Sequence, residues 1–417
     1  MKPLPALRDT LLKLTIDLAA EVGVERLSLR QIATAAGVST TAIFQNFEGK
    51  ADLLAAALDQ AISLDDALHD QLRDEVFPLV SSHLGLADAI ATYVQMRAPR
   101  REARFVSEVL VKLHDHPQCL GALAAWHDGR IAFWQDLLDR LQAPSSLAVI
   151  IARYVLMEGI YAHAMLPLGE YRMLLFETCR ALCDAAMNGG GSAELGSNVS
   201  AALGTVPFAV RGPALPGASQ PVAEQLLDTA VEIINESGMR TLNQRALAAR
   251  AGVSGSLIAY HFGDMKTLAI QAIWRALVQG IPTQLDPAGD SSTLPKSLEE
   301  WLRILDAMLE VGNDTASGFY IGVSQLSAEA CLLATRNPEL MPLIRYLRSL
   351  EGWGTYRVSR SIPGVAPHIR RDHATAFGVW IKAEALLRNA GISHAGKGPH
   401  GVQEAAAMIF PTMKASP

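Results

Sequence analysis

Arg30–Lys50 reads RQIATAAGVSTTAIFQNFEGK, and Arg245–Lys266, about 215 residues later, reads RALAARAGVSGSLIAYHFGDMK. Aligned without gaps, residues 11–57 and 226–272 share roughly 15 identities, far more than two unrelated segments would share by chance. The matched residues are mostly apolar or small: Leu11/Leu226, Gly23/Gly238, Leu27/Leu242, Ala33/Ala248, Gly37/Gly252, Val38/Val253, Ile43/Ile258 and Phe47/Phe262. Such residues form cores and tight turns, so the repeat predicts a duplicated structural unit.

In the first copy, local signals predict three short helices. Apolar residues recur at helical spacing up to Gly23, which can end the first helix in the left-handed conformation. The sequence SLRQ from Ser28 is a capping box, so a second helix starts there and ends at Gly37. Ser39 can then cap a third helix that carries Thr40–Asn46.

The second copy repeats these signals. A helix ends at Gly238, the next starts at Asn243 and ends at Gly252, and Ser254 is expected to cap the third. A glycine turn between the second and third helices predicts a helix-turn-helix. For one copy alone, a helical hairpin that serves only packing is the alternative. Two copies, each opening a similar unit, favour the helix-turn-helix.

The composition indicates a large helical protein. A chain of 417 residues is long enough for about two to four domains, and 50% of its residues are hydrophobic. Ala and Leu dominate, aromatic residues are few, and no stretch sustains the period-two alternation of a half-buried strand. We therefore expect an all-α fold.

Charge, cysteines and apolar stretches limit the functional classes. The net charge of −6 means that nucleic-acid binding would have to rest on local patches. Four cysteines do not form a disulfide framework in a chain of this size and fit packing thiols in a reducing compartment. The N-terminus is interrupted by charges, unlike a signal peptide, and LAVIIARYVLM from Leu147 is broken by Arg153 and too short to span a bilayer. We expect a cytoplasmic protein with no membrane partner.

Both copies resemble the DNA-binding domain of TetR-family transcriptional regulators. The shared pattern is an Ala-rich helix, Gly-Val-Ser, a small residue two positions on, an aromatic cluster ending in Phe, and a Lys-led helix with Leu. The first copy supplies Gly37, Val38, Ser39, Thr41, Phe44, Phe47, Lys50 and Leu53, and the second supplies Gly252, Val253, Ser254, Ser256, Tyr260, His261, Phe262 and Leu268. The copies depart from the pattern at different places. The first has Gln45 and Asn46 where the family favours an aromatic residue and a histidine, while the second has Ala259 and Met265 in the places of Phe44 and Lys50.

The resemblance implies a helical ligand-binding and dimerisation domain after each helix-turn-helix. EVLVKLHDHPQCLGAL (108–123) and AEACLLATRNPELMPL (328–343) match the family's helix that ends at an Xaa-Pro step, and they match each other. The stretch between the copies is rich in Gly, Pro, Ser and Ala and nearly uncharged, which predicts a linker. The expected segments are helix-turn-helix domain 1 (1–55), helical ligand-binding and dimerisation domain 1 (56–187), the linker (188–220), helix-turn-helix domain 2 (221–270) and helical ligand-binding and dimerisation domain 2 (271–417). Helical pairs at about 146–187 and 367–413 would form the dimerising bundle.

A helix-turn-helix places the N-terminal part of its second helix in the major groove of DNA. Candidate base-reading residues are therefore Thr40, Thr41 and Gln45 in the first unit, and Gly255, Ser256 and Tyr260 in the second. A threonine methyl can meet a thymine methyl, and glutamine can pair with adenine. By resemblance, Phe44, Asn46, Lys50, Tyr260, His261 and Lys266 contact the DNA backbone, and Ser28, Arg30, Asn243 and Arg245 complete the predicted DNA surface. Phe47 and Phe262 are expected in the core, and Arg250 is either a phosphate contact or a solvated helix charge.

One chain with two reading units could replace a homodimer. We expect a covalent pseudo-dimer on an imperfect palindromic operator whose half-sites lie roughly 34 Å apart. Tethering would make the pairing intramolecular, at an effective concentration of up to about millimolar. One alternative is a dimer of tandem chains with four reading units. Another is a regulator whose second unit only dimerises and senses, with DNA read by the first unit in a dimer of chains.

A ligand-responsive switch also needs an effector site. Candidate walls are the aromatic and methionine side chains of the later helices: Trp126, Phe133, Trp134, Tyr154, Met157, Tyr161, Trp301, Phe319, Tyr320, Trp353 and Trp380. Such stripes also form ordinary cores, but as a pocket they would suit a small apolar or aromatic effector. His114, His116, His127 and His163 could orient a polar group of that effector.

Signs of catalysis are lacking in the sequence. There is no phosphate-binding glycine loop, no histidine and cysteine set at metal spacing, and no nucleophile elbow. We therefore expect no enzyme activity and no cofactor. By resemblance, the expected role is regulation of transcription through double-stranded DNA, with repression as the family's habit.

Overall fold

The structure, a computed structural model, describes residues 4–113, 116–189, 198–205, 220–279, 294–310, 318–363, 365, 369–392 and 401–411. Within these ranges the chain forms helices and turns and no strand, which confirms the all-α class. The helices fall into two units that repeat one order of elements.

The first unit contains α1 (Leu4–Val22), α2 (Leu29–Ala36), α3 (Thr40–Phe44), α4 (Lys50–Glu75), α5 (His83–Arg97), α6 (Arg101–Lys112), α7 (Pro117–Arg140), α8 (Leu147–Met165) and α9 (Gly169–Asn188). A short helix, α10 (Asn198–Thr205), follows it. The second unit contains α11 (Pro221–Ser237), α12 (Gln244–Ala251), α13 (Ser256–Phe262), α14 (Met265–Gln279), α15 (Leu298–Ala307), α16 (Phe319–Ala334), α17 (Met341–Leu350), α18 (Trp353–Ser361), α19 (Arg371–Asn389) and α20 (Val402–Ile409).

The first three helices of each unit form a helix-turn-helix, called head 1 (α1–α3) and head 2 (α11–α13) below. The turn residues Gly37 and Gly252 both adopt the left-handed conformation, each with φ of +67°. The capping box at the start of α2 is present, with the Ser28 amide donating to Gln31 Oε1 at 2.8 Å and the Gln31 amide donating to Ser28 Oγ at 3.3 Å. Both heads therefore contain the glycine turn that the local sequence pattern predicts.

The start of the third helix differs between the heads. In head 1, Ser39 caps α3 as predicted, accepting a hydrogen bond from the Ala42 amide at 3.3 Å. In head 2 the predicted cap at Ser254 is wrong, because α13 begins at Ser256 with Gly255 as its N-cap. The Ser254 hydroxyl bonds the Ser256 hydroxyl at 2.8 Å, and α13 has no side-chain cap.

Each head continues into the rest of its unit, called body 1 or body 2, through an unbroken helix. The predicted boundaries at 55/56 and 270/271 lie inside α4 and α14, respectively. A change in the packing of either body can therefore be transmitted directly to the head that shares its helix.

The predicted linker is not coil throughout. α10 lies inside it and docks on α9, where both carboxylate oxygens of Glu177 accept the Val199 and Ser200 amides at 2.7 Å each. A carboxylate at the N-terminal amides stabilises a helix, and the Ala-rich stretch allows one. The segments 190–197 and 206–219 of the predicted linker lie outside the described residues.

The two bodies pack against each other. α8 and α9 both contact α19, and α8 also contacts α16 and α17, so the helices predicted to form the dimerising bundle meet within one chain. Two buried ion pairs cross this interface: Arg348 Nη2 lies 2.9 Å from Glu158 Oε2, and Arg153 Nε lies 3.0 Å from Glu384 Oε2. The bodies are thus joined by specific charge pairs as well as by apolar contact.

The most apolar helix is a core element. Among the described residues, α8 alone is long and apolar enough to cross a membrane, but 89% of its apolar window is buried inside the protein. Arg153 of α8 forms an ion pair with Glu384 of body 2. The four cysteines are buried and free, as expected for packing thiols.

Candidate nucleic-acid interface and effector cavity

Head 1 presents one side of α3 to solvent. Thr40, Thr41 and Gln45 are exposed, and the Phe44 side chain is 56% exposed although it is a large apolar group. The opposite side of the same helix holds the buried Ile43. The candidate base-reading residues of head 1 therefore share a free surface at the N-terminal part of the second helix of the motif, where a major groove would be read.

The other DNA candidates of head 1 are partly engaged within the head. Asn46 Nδ2 donates to the Ala42 carbonyl at 2.8 Å, and Lys50 Nζ donates to the Glu25 carbonyl at 3.2 Å. Burial lowers the pKa of Lys50, an effect that the charge of Glu25 opposes. Ser28 serves as the N-cap of α2, whereas Arg30 is exposed. Arg30 is the candidate phosphate contact with the freest side chain.

Head 2 presents a different surface. Tyr260 is 77% exposed, with its ring edge against His261 at a centroid distance of 4.9 Å, and Ser256 and Arg245 are also exposed. The Gly255 carbonyl accepts a hydrogen bond from Gln244 at 3.1 Å. Gly255 thus has a structural role, and the exposed polar side chains of α13 include Ser256 and Tyr260.

The remaining head 2 candidates act as structural parts of the head. Asn243 caps α12, with its side chain accepting from the Ala246 amide at 2.9 Å. Phe262 is buried, as is Phe47 in head 1, so the expectation that both belong to the core is confirmed.

Carboxylates pair with two cations of head 2. Arg250 lies 2.5 Å from Glu236 and 3.3 Å from Glu232, and the hydrogen bond to Glu236 raises its pKa. Lys266 lies 2.8 Å from Glu339 of body 2. The positive charge available for DNA is therefore lower on head 2 than the count of its basic residues suggests.

Comparison with known proteins identifies both heads. Residues 11–57 and residues 226–272 each match the family model described as bacterial regulatory proteins, tetR family. Each of the two tandem units therefore begins with a helix-turn-helix domain of the tetR family. No curated protein matches the chain. The two matches support a DNA-binding transcriptional regulator.

The effector candidates of body 1 are packed in its core. Trp126, Phe133, Trp134, Tyr154 and Met157 are each at most 3% exposed. Trp126 Nε1 donates to Asp65 at 2.8 Å, Phe133 stacks on His69 at 4.4 Å, and the Tyr154 hydroxyl bonds Thr178 at 2.7 Å. These side chains act as core in the described structure.

A buried ionic cluster in body 1 was missed by the sequence reading. Arg97 Nε donates to Asp65 at 2.8 Å, and Arg130 lies over the Trp126 ring at 4.5 Å. Burial would raise the pKa of Asp65, but the charges of Arg97 and Arg130 lower it to about 2. No sequence signal joins α4, α5 and α7 here, because the partners are far apart along the chain.

Body 2 brings three of the candidates together around open space. Phe319, Tyr320 and Trp353 line a cavity of about 80 Å³ that ends at Glu351 and Lys382. Lys382 Nζ lies 2.6 Å from Glu351, and Tyr161 of body 1 donates its hydroxyl to the same carboxylate. Trp301 touches this wall through Thr355, to which its Nε1 donates at 3.1 Å. Trp380 stacks on Phe377 in the core.

The candidate histidines have structural partners. His163 Nδ1 donates to the Ala98 carbonyl at 2.9 Å, its Nε2 lies 3.1 Å from Ser107 Oγ, and burial lowers its pKa to about 3. His116 is the N-cap of α7 ahead of Pro117, His127 is buried in α7, and His114 lies outside the described residues. In the described part of the chain no histidine, cysteine or acidic group is arranged to hold a metal.

A second, larger cleft of about 340 Å³ was not predicted. It lies beside the first one and shares Leu277, Phe319 and Val323 with it, but it opens between α11, α14 and α16. Its lining includes the polar residues Asn235, Gln325 and Glu329. A comparison of the two copies could have found it, as argued below.

Proposed function

We propose that the protein is a ligand-responsive transcriptional regulator, a repressor, that binds an imperfect palindromic operator as a covalent pseudo-dimer. The observation that carries the proposal is the pairing of the two bodies within one chain through α8, α9, α16 and α19. That pairing gives one chain two heads on a shared support.

The cross-unit ion pairs support a fixed arrangement of the bodies. Both partners of the Glu158–Arg348 pair are nearly inaccessible, at 0% and 1% exposure. Removing one partner of such a pair leaves an uncompensated buried charge, which typically costs about 3–5 kcal/mol. Separation of the bodies would incur a cost of this kind, so the intramolecular pairing should persist in solution.

The difference between the heads supports an imperfect palindrome. The exposed side chains of α3 are two threonines, a glutamine and a phenylalanine, whereas those of α13 include a serine and a tyrosine. Threonine and glutamine can read thymine and adenine edges, and serine is less selective. One half-site should therefore be specified more strongly than the other.

The second candidate function is a regulator in which unit 2 only senses and pairs. The ion pairs of Arg250 and Lys266 favour it, because they occupy cations that would otherwise meet phosphate. However, the partners in the Lys266–Glu339 pair are 52% and 56% exposed, and such surface pairs are worth about 0–1 kcal/mol. A DNA phosphate could displace Glu339 at little cost, so the proposal with two reading heads is preferred.

A footprint on the DNA that flanks the protein's own gene tests the proposal. Protection of two adjacent half-sites about one helical turn apart is the expected result. Thr41→Ala should weaken protection of one half-site, and Ser256→Ala should weaken protection of the other. A single short protected site that responds to Thr41→Ala and ignores Ser256→Ala would favour the scaffold alternative.

We infer that the effector site lies in body 2, where Phe319 borders both the cavity at Trp353 and the larger cleft between α11, α14 and α16. Phe319, Tyr320 and Trp353 surround open space there, whereas the aromatic candidates Trp126, Phe133, Trp134 and Tyr154 of body 1 are packed in its core. We expect a small effector with an apolar or aromatic part, and binding that favours the state with lower DNA affinity.

A further inference from the structure

The cleft between α11, α14 and α16 combines apolar walls with one carboxylate. Ile234, Leu277, Phe319 and Val323 supply apolar surface, and Glu329 supplies the acid. Its volume of about 340 Å³ lies within the usual range for small-molecule sites. The identity of its ligand therefore depends on the state of Glu329.

Glu329 lacks an ion-pair partner among the described residues. Its Oε1 accepts a hydrogen bond from Gln325 Nε2 at 3.0 Å, and the Met239 amide also donates to it. Lys112 acts on it from a distance but is already paired with Glu25 at 3.3 Å. Burial raises the pKa of Glu329, which shows that the charged carboxylate is poorly solvated there.

The equivalent glutamate of unit 1 is neutralised. With Pro117 and Pro338 aligned, Glu108 corresponds to Glu329. Glu108 accepts the Val24 amide at 3.4 Å, as Glu329 accepts the Met239 amide, so both glutamates hold the turn after the first helix of their head. Unlike Glu329, Glu108 forms ion pairs with Lys112 and with Arg336. The same register places Leu333 at the position of Lys112.

The same comparison explains why the cleft is open only in unit 2. Gly322 and Val323 occupy the positions of Arg101 and Glu102. In unit 1, the Arg101 guanidinium lies 3.3 Å from Asp17 and 3.4 Å from Glu21, and so bridges α6 to α1. In unit 2, Gly322 is exposed and a Cβ placed on it would meet nothing within 4 Å. The small residues therefore leave between α11 and α16 the space that a charged bridge fills in unit 1.

We propose that this cleft binds an apolar amine in its ammonium form, with Glu329 as the counter-ion and Phe319 and Leu277 around the apolar part. The inference rests on the proposed function, since it names the chemical class of the effector. An ammonium group could donate a charge-assisted hydrogen bond to the Glu329 carboxylate, which has no ion-pair partner among the described residues.

The position of Glu329 links this site to head 2 and to unit 1. Because Glu329 holds the Met239 amide, a cation at its carboxylate competes with the turn of head 2. Gln325, its neighbour, donates to the Val111 carbonyl at the end of α6 in unit 1. An ammonium group in the cleft therefore acts on head 2 directly and on unit 1 through one intervening side chain.

The test compares three probes of matched shape on the full-length protein: 4-phenylbutylamine, 4-phenylbutan-1-ol and 4-phenylbutanoate. Titration calorimetry should give the amine an affinity about 10- to 100-fold higher than the alcohol, because hydrogen bonds to charged groups are that much stronger. The carboxylate should bind most weakly. Equal binding of amine and alcohol, or no binding of the amine at millimolar concentration, would contradict the proposal.

Two variants and one control locate the site. Glu329→Gln should reduce amine binding to the level of the alcohol and leave alcohol binding unchanged. Gly322→Arg, which places the unit 1 residue in the open cleft without disturbing buried packing, should weaken both probes at least tenfold, since the side chain fills the space. Glu299→Gln, at an exposed acid of the same body, should change neither. Amine preference that survives Glu329→Gln in a folded protein would overturn the assignment.

A separate readout distinguishes this proposal from the proposed function. Operator binding of the wild-type protein is measured with and without 4-phenylbutylamine. A lower DNA affinity with the amine, lost in Glu329→Gln, supports the inference. Amine binding without any effect on the DNA complex would contradict the link to the heads. A footprint without any protected site would refute the proposed function, whatever the amine does.

Discussion

Head 1 and head 2 share the conformation of their central turn and differ in the exposed side chains of their third helices. Gly37 and Gly252 share one left-handed conformation, and the buried Phe47 and Phe262 occupy equivalent places. On α3 and α13, in contrast, Thr41 corresponds to a serine and Gln45 to Tyr260. The comparison teaches that the duplicated heads retain what folds the motif and have diverged where the motif would meet DNA.

The two bodies differ in how their candidate effector residues are packed. Body 1 is closed by the buried Asp65–Arg97 pair and by packed aromatic rings. In body 2 the helix is interrupted between α17 and α18, at Glu351 and Gly352, whereas the equivalent α7 of body 1 is continuous. The cavity of about 80 Å³ lies beside this interruption, which supports the proposed effector site in body 2.

The largest predicted effect concerns the interface that joins the bodies. Glu158→Ala leaves Arg348 charged and buried, and should lower the free energy of unfolding by about 3–5 kcal/mol. The matched control is Arg345→Ala, which removes an exposed cross-unit pair with Glu170 at 2.7 Å and should cost about 1 kcal/mol or less. Urea unfolding monitored by circular dichroism measures both. Equal effects of the two variants would show that the buried pair does not hold the bodies together.

The next prediction concerns the reading surfaces. Thr41→Ala should weaken binding to the intact operator by about 1–3 kcal/mol and relax specificity in one half-site. Competition between operators altered in a single half-site would show which half-site responds. If Thr41→Ala lowered specificity equally at both half-sites, the two sites would each be read by head 1 of a separate chain. The difference between head 1 and head 2 would then play no part in DNA recognition.

The shared scaffold of the heads can be tested at the turns. Gly37→Ala and Gly252→Ala each force a side chain into the left-handed conformation at φ of +67°, which costs about 1–2 kcal/mol. Neither added methyl would meet an atom within 4 Å, so the backbone strain is the whole effect. Thermal unfolding should therefore show similar shifts. A large difference between the two variants would mean that the turns are not equivalent.

The smallest predicted effect concerns phosphate contacts. Arg30→Ala in head 1 should reduce the salt dependence of DNA binding by about one counterion, without changing sequence preference. Lys266→Ala should do the same for head 2 if Glu339 gives way to phosphate, and Glu339→Gln should then strengthen binding slightly. The slope of the affinity against salt concentration measures these changes. No change with Lys266→Ala would favour the scaffold alternative for unit 2.

The heads could be predicted from the sequence because their signals are local. The capping box at Ser28 and the turn at Gly37 involve residues within a few positions of each other, so the sequence pattern and the geometry coincide. The prediction for Ser254 was wrong because its hydroxyl bonds the hydroxyl of Ser256, whereas the Ser39 hydroxyl of head 1 accepts the Ala42 amide.

The bodies could not be predicted in the same way. Glu158 and Arg348 are 190 residues apart, and nothing in the sequence near either residue points to the other. Periodicity identified aromatic stripes, but it does not reveal whether the facing helix fills the space, so Trp126 and Phe319 looked equivalent as candidate walls. The open cleft at Glu329 was accessible only by comparing the copies, through the change from Arg101 to Gly322.

The central claim is that one chain supplies both heads to one operator. The mass of the protein–DNA complex, measured by native mass spectrometry on a duplex spanning both half-sites, tests it most directly. The account predicts a complex of one 44.8 kDa chain with one duplex, in which both half-sites are protected. A complex that contains two chains per duplex, with no singly bound species that protects both half-sites, would contradict it.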